Sequence, residues 1–257
     1  MKSNFYVHNQ PNMVDLKSDS MIMIGNWGNR FQTTYPETIT YHEIYNRQDY
    51  IKGDCNIQPG DVVVDCGGNI GIFTSFALDM GASRVLSFEP FPDNYNIHKK
   101  NNPSAEVFNL AVSNKSNETI ELLWTPTGNG GHTIIGSEFE NDPGHYQHKN
   151  IYVKTITLDD IISQNFIDHI DFLKVDTEGA ELMIFEGLSD FNLNKIRCIA
   201  LEYHHNIFNY DDTIYANFQA RFNRLGFNTF TWFLDSFTRM LYISKGDVFR
   251  DNPNHNI

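Results

Sequence analysis

Short apolar runs that end in a carboxylate recur along this chain and predict buried strands of a parallel sheet. The run at residues 62–64 leads into Asp65, and the run at residues 170–175 leads into Asp176. Both runs are rich in β-branched or aromatic residues, and each is followed by glycine and then by a helical pattern, as in the strand–loop–helix units of α/β proteins. The carboxyl ends of such strands meet at one edge of the sheet, so we expect both carboxylates to face one crevice.

Strands and helices alternate along most of the remaining chain. Further strands are predicted at residues 84–90, 106–112 and 198–202, and helices at residues 41–51, 72–78, 93–101, 180–188 and 212–225, with one more helix starting at residues 157–160. Alternating strands at residues 119–124 and 151–156 flank a glycine-rich loop and predict an inserted hairpin. Residues 227–233 and 239–244 predict a closing antiparallel hairpin. The predicted fold class is α/β: a doubly wound, Rossmann-like sheet, mostly parallel, with an antiparallel C-terminal strand and an inserted β-hairpin.

The loop DCGGNIG at residues 65–71 is predicted to bind a nucleotide-like ligand. Its glycines permit a tight turn and a close approach of the backbone to the ligand. Glu89, 24 positions after Asp65, has the spacing at which a carboxylate binds ribose hydroxyls. The dinucleotide fingerprint requires glycine where this chain has Asn69, and the carboxylate of Asp65 would repel a pyrophosphate. The pattern therefore favours S-adenosylmethionine over a dinucleotide, and a plain tight turn without a ligand is the third interpretation.

The residues predicted to bind this cofactor lie at the carboxyl ends of the first three strands. Asp65 would hold the methionine amine, and Glu89 would hold the ribose. Residues 109–111 would face the adenine, while the first backbone N–H groups of the following helix would receive the cofactor's carboxylate. The full set is Asp65, Gly67, Asn69, Gly71, Glu89, Asn109 and Ala111.

The overall composition narrows the class of partner. The chain of 257 residues has a formal charge of −13 and 19 Lys plus Arg without a dense basic run, which opposes binding to a nucleic-acid backbone. Its three cysteines form no CxxC pair and are typical of reduced thiols in a cytoplasmic protein. No apolar run approaches the roughly 20 residues of a membrane span, and a basic-then-apolar signal is missing at the N-terminus. We therefore expect a cytoplasmic enzyme with a small-molecule substrate.

Five motifs follow one another in a fixed order between about residues 45 and 205. They are DCGGNIG at 65–71, FEP at 88–90, TLDD at 157–160, KVDTEGAE at 174–181 and LE at 201–202. Taken together, they resemble the FkbM family of S-adenosylmethionine-dependent O-methyltransferases. The resemblance implies the seven-stranded class I methyltransferase fold and methyl transfer to a hydroxyl of a sugar, a polyketide or a related small molecule. Gly68 stands where relatives commonly have alanine, which exchanges one small residue for another.

Acidic and imidazole side chains gather at the ends of the fourth and fifth predicted strands, where an acceptor would bind. An alcohol is barely ionised at neutral pH, so it needs a general base or a metal ion that lowers its pKa. Asp176, Glu202 and His204 are predicted to hold Mg²⁺ or Mn²⁺, and the mixture of oxygen and imidazole ligands slightly favours Mn²⁺ or Fe²⁺. The groups predicted to take the proton are His205, Glu178 and His132, the last from the glycine-rich loop.

The sequence is also compatible with other functions and with purely structural roles for the candidate site residues. The leading hypothesis is O-methylation of a sugar or a nucleotide-linked sugar. An NAD(P)-dependent oxidoreductase is disfavoured by the missing glycine of its fingerprint. A non-catalytic nucleotide-binding module is disfavoured because a scaffold has no need of clustered carboxylates and histidines. In structural roles, Asp176 would cap a helix, Glu202 would pair with Lys174, and the histidines would lie on the surface.

The chain is predicted to consist of two parts. Residues 1–48 are largely polar and rich in asparagine, and the weak periodicity over most of them indicates no chemistry. We interpret them as an N-terminal arm or lid, or as a contact in a homo-oligomer. Residues 49–257 are predicted to form the methyltransferase domain.

Overall fold

The protein is described by a computed structural model, in which residues 12–14, 21–24, 32–33, 39–124, 149–164, 167–204, 212–234 and 238–249 are described. Its strands are β1 (Asn12–Val14), β2 (Met21–Ile24), β3 (Gln32–Thr33), β4 (Val62–Cys66), β5 (Arg84–Phe88), β6 (Glu106–Phe108), β7 (Ala111–Val112), β8 (Thr119–Trp124), β9 (Lys149–Ile156), β10 (Ile170–Val175), β11 (Ile196–His204), β12 (Asn228–Phe233) and β13 (Thr238–Ser244). Its α-helices are α1 (Ile72–Asp79), α2 (Pro92–Asn101), α3 (Leu158–Gln164), α4 (Glu181–Glu186), α5 (Asp190–Leu193) and α6 (Asp212–Arg224), and a π-helical segment spans His42–Arg47.

Seven strands form the main sheet, in the order β12-β13-β11-β10-β4-β5-β6. Strand β13 runs antiparallel to β11 and β12, whereas the remaining pairs run parallel. The chain moves outward from β4 to β6 and then returns to β10 on the other side of β4, so the strand order reverses between β4 and β10. Ligands of open α/β sheets bind at such a reversal, outside the carboxyl ends of the strands. This topology confirms the predicted doubly wound sheet and the class I fold that the resemblance implies.

Strand β4 is buried on both faces, which explains its continuous apolar sequence. Val63 belongs to a buried cluster that includes Phe73 and Phe76 of α1. Val64, on the opposite face, belongs to a second cluster that includes Ile161 of α3 and Phe185 of α4. Helices therefore cover both faces of the sheet and hold the carboxyl end of β4 in a fixed position.

The strand predicted at residues 106–112 is two strands in the structure. Strand β6 stays in the main sheet, whereas β7 pairs in parallel with β9 in a second sheet of order β7-β9-β8. Asn109 lies between the two strands, and its side-chain amide donates to the carbonyl oxygens of Glu89 at 2.9 Å and Pro90 at 2.7 Å. The pairing of β6 with β5 ends at Phe108, directly before this residue. Strands β8 and β9 pair antiparallel, as predicted for the inserted hairpin. The loop that joins them lies outside the described residues.

Strands β1, β2 and β3 form a separate antiparallel sheet, whose middle strand is the apolar patch Met21–Ile24. The division of the chain near residue 48, the role of the N-terminal part and self-association stay predictions. The helices of the described ranges include none with the length and apolar character that a membrane span requires. Cys55, Cys66 and Cys198 are buried free thiols, while the cytoplasmic location stays a prediction.

Candidate active site

The loop between β4 and α1 packs directly against the ends of two neighbouring strands. The N–H groups of Gly67 and Gly68 both donate to the carbonyl oxygen of Phe88, at 3.0 and 3.1 Å. Gly67 has φ +81, and a Cβ atom built there would lie 1.7 Å from the carbonyl oxygen of Asp176. Only glycine fits such a position, because other residues would clash with backbone. The first glycine of the motif therefore lets the loop close over the ends of β5 and β10.

A buried imidazole lies beneath the same loop. A Cβ atom built on Gly68 would lie 2.7 Å from Cε1 of His98, and one built on Gly71 would lie 2.5 Å from Cδ2 of the same ring. Apart from a contact with the backbone of Asn69, the ring nitrogens have no hydrogen-bond partner among the described residues. Burial lowers the pKa of His98 to about 4, so the ring is neutral at physiological pH. Sequence reasoning missed His98, because no motif connects a helix residue with the underside of the loop.

Asp65 lies deeper than the sequence predicts. Its side chain is fully buried, and its Oδ2 atom accepts hydrogen bonds from the hydroxyls of Thr74 at 2.8 Å and Ser87 at 3.1 Å. Its Oδ1 atom lies 3.4 Å from Nζ of Lys174. The predicted contact of Asp65 with the methionine amine stays a prediction. In the structure, Asp65 fastens the start of α1 and the end of β5 below the cofactor loop.

Glu89 lies in the crevice, at the end of β5. One carboxylate oxygen accepts from the backbone N–H of Asn69 and the other from that of Phe91, both at 2.8 Å. Burial raises the pKa of Glu89 to about 7. Each oxygen keeps a second lone pair, so the carboxyl group remains able to accept a hydrogen bond from a ligand hydroxyl.

The other predicted cofactor residues divide into lining and supporting positions. The described residues that line the crevice include Gly67, Asn69, Glu89 and Ala111. Gly71 and Asn109 lie behind the lining: the carbonyl oxygen of Gly71 accepts from Asn102 at 2.9 Å, and Asn109 bonds to the backbone that follows β5.

The predicted metal ligands come together at the ends of β10 and β11. One potential ligand atom from each of Asp176, Glu202 and His204 lies within 4.8 Å of those of the other two. Nε2 of His204 lies 3.7 Å from Oε1 of Glu202 and 3.5 Å from Oε2 of Glu178. Glu178 has φ +53, in a turn that brings its carboxylate to the histidine. Three carboxylates therefore surround one imidazole edge.

Glu181 fixes the orientation of His204. Its buried carboxylate accepts from the N–H groups of Thr177 and Gly179, from the Thr177 hydroxyl, and from Nδ1 of His204 at 3.2 Å. An ionised carboxylate accepts hydrogen bonds and donates none, so this contact assigns the ring proton to Nδ1 and directs Nε2 toward Glu202. Burial lowers the pKa of His204, but the hydrogen bond to Glu181 and the nearby carboxylates outweigh it and raise that pKa to about 11.

Two of the acidic groups beside His204, Glu178 and Glu202, hold protons more tightly than usual. Burial, reinforced by the charge of Asp176, raises the pKa of Glu202 to about 8. Burial also raises the pKa of Glu178 to about 7, despite the opposing effect of His204. Burial alone would raise the pKa of Asp176, but the charges of Lys174 and His204 and the hydrogen bonds from Tyr50 and Lys174 together outweigh it and lower that pKa. A cation bound among these groups would replace protons that the site otherwise retains.

Lys174 connects the cofactor loop with the acidic cluster. Its Nζ atom donates to the carbonyl oxygen of Gly67 at 2.7 Å and lies 3.4 Å from both Oδ1 of Asp65 and Oδ2 of Asp176. Burial lowers its pKa, but the two carboxylates outweigh it and raise that pKa above the usual value. The sequence suggested Glu202 as a partner of Lys174, whereas its ion pairs go to Asp65 in β4 and to Asp176, directly after β10.

Tyr50 enters the cluster from the segment before β4. Its hydroxyl lies 2.9 Å from Oδ2 of Asp176 and 2.9 Å from Oε2 of Glu202. The helix predicted at residues 41–51 is a shorter π-helical segment, which ends at Gln48 in a left-handed conformation and turns the chain toward the crevice. The apolar and aromatic spacing predicted packing near the cofactor loop but gave no sign of this polar contact.

Two predicted catalytic residues, His132 and His205, lie outside the described residues.

Tyr95 and Lys99 of α2 have the Tyr-x-x-x-Lys spacing of short-chain dehydrogenases, and the Lys99 ammonium lies 3.4 Å from the Tyr95 hydroxyl. Neither is among the described residues that line the crevice. The spacing therefore offers no support for an oxidoreductase.

Comparison with known proteins identifies the family. The model of the methyltransferase FkbM domain matches residues 65–254. The chain belongs to the FkbM methyltransferase family. This match confirms the resemblance of the five motifs, and it supports methyl transfer as the reaction.

Individual proteins are more distantly similar to the chain. The chain is 28% identical over 190 residues to 31-O-demethyl-FK506 methyltransferase FkbM of Streptomyces tacrolimicus, which covers 64% of this chain and 73% of that protein. It is 24% identical over 148 residues to hexuronic acid methyltransferase AglP of Haloferax volcanii, which covers 56% of each. The similarity to AMB antimetabolite synthetase AmbE of Pseudomonas aeruginosa, 25% over 197 residues, covers 64% of this chain and 9% of that protein. Among solved structures, the N-terminal domain of human METTL16 in complex with SAH has a TM-score of 0.40 and 12% identity, and covers 82% of this chain and 69% of that one.

Proposed function

We propose that this FkbM methyltransferase uses S-adenosylmethionine to methylate a hydroxyl of a small polar acceptor, a sugar or a nucleotide-linked sugar. Family membership supports methyl transfer, and the class I sheet with Glu89 at the end of β5 supports the cofactor. The observation that carries the proposal is a single crevice lined both by the glycine loop and by the acidic cluster of Asp176, Glu178 and Glu202. This arrangement would bring a methyl donor and a hydroxyl acceptor to the same place.

The chain's residues would divide the work of holding the cofactor. Glu89 would accept hydrogen bonds from the ribose hydroxyls, and Ala111 would lie beside the adenine. The backbone of Gly67 and Asn69 would face the methionine end. Asp65 would act indirectly, since it holds Thr74, Ser87 and Lys174 below the loop. Such fixed alignment contributes much of the acceleration in methyl transfer, because the reacting atoms must lie in line.

The donor set of Asp176, Glu202 and His204 fits a divalent ion. Two carboxylates and an imidazole suit Mn²⁺ or Fe²⁺, and they also accept Mg²⁺. When bound, such an ion would lower the pKa of an acceptor hydroxyl. Glu181 supports this role because it leaves Nε2 of His204 directed at the carboxylates. Glu178, whose pKa lies at about 7, would take the hydroxyl proton. His132 and His205 stay alternatives for that step.

A metal-free site with His204 as general base is the weaker alternative. Its pKa of about 11 means that the imidazole already holds a second proton at neutral pH. A group in that state cannot accept a proton from an alcohol. The metal-free alternative would therefore need Glu178 or a residue outside the described ranges to act as the base.

The acceptor class is proposed from two observations. The segment between β8 and β9 is rich in glycine and polar residues, a composition suited to hydroxyl-rich ligands. One protein to which the chain is similar, AglP, is described as a hexuronic acid methyltransferase. Both observations favour a carbohydrate over a flat aromatic acceptor.

Binding and turnover measurements test the proposal in sequence. Calorimetry with S-adenosylhomocysteine and with NAD⁺ decides the cofactor, and we expect binding of the first alone. A panel of free and nucleotide-linked sugars, assayed for release of S-adenosylhomocysteine with Mn²⁺ present, then identifies the acceptor. Binding of NAD⁺ without S-adenosylhomocysteine would refute the cofactor. Turnover restricted to protein, nucleic acid or aromatic acceptors would refute the acceptor class.

A further inference from the structure

Tyr50 lies before the FkbM domain match of residues 65–254, yet it contacts two of the three proposed metal ligands. It is 6% exposed and lines the same crevice. The family match therefore leaves out a residue that the fold brings to the centre of the site.

The hydroxyl of Tyr50 selects which oxygen of Glu202 faces the imidazole. It lies 2.9 Å from Oε2 of Glu202, while Oε1 of the same carboxylate lies 3.7 Å from Nε2 of His204. On the other side, it lies 2.9 Å from Oδ2 of Asp176, which Lys174 also approaches. A phenol has one hydrogen to donate, so it bonds to one carboxylate at a time and keeps both within reach. Groups that orient ligands in this way commonly strengthen metal binding.

The surrounding residues hold Tyr50 in place. Its ring packs edge-on against Phe73 of α1, with the centroids 5.3 Å apart. The Lys174 ammonium lies 5.5 Å from the ring centroid, a cation–π contact within the buried site. The hydroxyl of Tyr242 in β13 donates to the carbonyl oxygen of Asp49, directly before Tyr50. The phenol therefore occupies a prepared position, and it does not depend on a ligand to order it.

We propose that Tyr50 is a positioning residue for the divalent cation, acting through Asp176 and Glu202. The inference rests on the proposed metal site and adds to it a residue from outside the matched domain. Replacing Tyr50 with phenylalanine keeps the ring packing and removes the hydroxyl. We expect Tyr50→Phe to weaken Mn²⁺ binding by about 10-fold or more, in line with residues that orient metal ligands.

Tyr45 provides a matched control on the same segment. Its hydroxyl donates to Oδ2 of Asp79 at 2.9 Å, and its ring packs edge-on against Phe76 of α1 with the centroids 5.3 Å apart. Tyr45→Phe therefore removes a tyrosine–carboxylate bond of the same length beside the same helix, away from the acidic cluster. We expect this variant to bind Mn²⁺ within about 2-fold of the unmodified protein.

The experiment titrates Mn²⁺ into the full-length protein by calorimetry, without an acceptor. The paramagnetic resonance spectrum of bound Mn²⁺ should also change in Tyr50→Phe, because its carboxylate ligands are held less firmly. Binding of S-adenosylhomocysteine reports the integrity of the fold, and we expect it to stay unchanged in both variants. The melting temperature should fall by a similar small amount in both, since each loses a hydroxyl hydrogen bond to a carboxylate. A structural role alone would weaken S-adenosylhomocysteine binding together with Mn²⁺ binding in Tyr50→Phe.

Two results would overturn the inference in distinguishable ways. If the unmodified protein binds Mn²⁺ and Tyr50→Phe binds it equally well, or if Tyr45→Phe loses as much affinity, Tyr50 has no positioning role and the metal proposal stands. If the unmodified protein binds no Mn²⁺, the proposed metal site fails, and the inference fails with it.

Discussion

The two halves of the crevice are built in different ways. The half proposed to bind the cofactor consists of the loop at residues 67–71 and Glu89, and backbone groups hold it. N–H donors from Asn69 and Phe91 fix the carboxyl group, and glycines let the loop pack on strand ends. The acceptor half consists of side chains from separate segments. A site made from backbone is specified by a short local motif, whereas a site made from side chains depends on where distant segments meet.

Charge also differs between the halves. In the cofactor half, the crevice lining beside the loop includes one carboxyl group, that of Glu89. In the acceptor half, Asp176, Glu178 and Glu202 lie close together, so cations are needed to offset their repulsion. Lys174 contacts Asp65 on one side and Asp176 on the other. We therefore expect that substitutions can disable the two halves separately, with Lys174 as their common element.

The largest expected effect comes from emptying the acceptor half of metal. Extensive chelation should reduce turnover by at least about 100-fold, because the acceptor hydroxyl then lacks activation, while the affinity for S-adenosylhomocysteine stays within about 2-fold. Added Mn²⁺ or Mg²⁺ should restore the rate. His204→Ala should weaken Mn²⁺ binding in calorimetry without changing cofactor affinity. Full activity in thoroughly chelated protein would show that the two halves do not differ in this respect.

Replacing Glu89 should impair the cofactor half of the crevice. Glu89→Ala should weaken S-adenosylhomocysteine binding by about 10- to 100-fold, since each hydrogen bond to a charged group contributes about 1.5–3 kcal/mol. Mn²⁺ affinity should stay unchanged. Glu106→Ala is the control, because Glu106 is an exposed carboxylate paired with Arg84 on the neighbouring strand. Equal cofactor affinity in both variants, measured by calorimetry, would refute the role of Glu89.

A smaller change tests how tightly the backbone-built half is packed. In Gly68→Ala, the new Cβ atom would lie 2.2 Å from the Ser87 hydroxyl and 2.7 Å from the His98 ring. Overpacking of this kind typically costs about 1–3 kcal/mol, so both the melting temperature and cofactor affinity should fall. His98→Ala in the same chain should recover part of the loss by opening space. Unchanged stability in Gly68→Ala would mean that the loop is less constrained than its contacts indicate.

The smallest expected effect is a pH dependence confined to the cofactor half. Burial raises the pKa of Glu89 from 4.5 to about 7, so between these values the folded state binds more protons than the unfolded chain. The contribution of Glu89 to stability is therefore present below about pH 4.5 and is lost as the pH rises toward 7.

Ribose hydroxyls donate to the ionised carboxylate, so cofactor affinity should rise by up to about 10-fold between pH 6 and 8. Calorimetry at several pH values measures this change, and Glu89→Gln should flatten it. The neighbouring His98, with its pKa near 4, stays neutral throughout. An equal pH dependence in Glu89→Gln would assign the effect to another group.

Much of the sheet could be predicted because its determinants are local. The apolar run of β4 is buried on both faces, and the run of β10 ends in a carboxylate at the same edge. The meeting of Asp176, Glu202 and His204 follows from the same rule, since neighbouring parallel strands end together. The split of the strand at residues 106–112 was missed, because it depends on hydrogen bonds from Asn109 to a distant turn.

The remaining site residues required the three-dimensional structure. Glu181 lies in a recognised motif, but its bond to His204 depends on the turn at Glu178 and Gly179, which have φ values of +53 and +108. The depth of Asp65 depends on Thr74 reaching back from α1. Tyr50 lies far along the sequence from both carboxylates that it contacts, and spacing rules for strands do not extend to such a residue.

The place of β13 in the sheet has a consequence for the order of folding. It is the last strand within the described residues, yet it lies between β11 and β12, so this sheet cannot be completed until synthesis has passed Ser244. Long-range pairings of this kind are slow to form. Tyr242 of β13 also bonds to Asp49, so the strand that is made last fastens the segment that carries Tyr50.

In pulse-labelling hydrogen exchange during refolding, we expect amides of β4 and β10 to become protected before those of β13 and residue 50. Protection of all four regions at once would contradict this order, whereas its observation would mean that a nascent chain acquires its methyl-donor loop before it can position an acceptor.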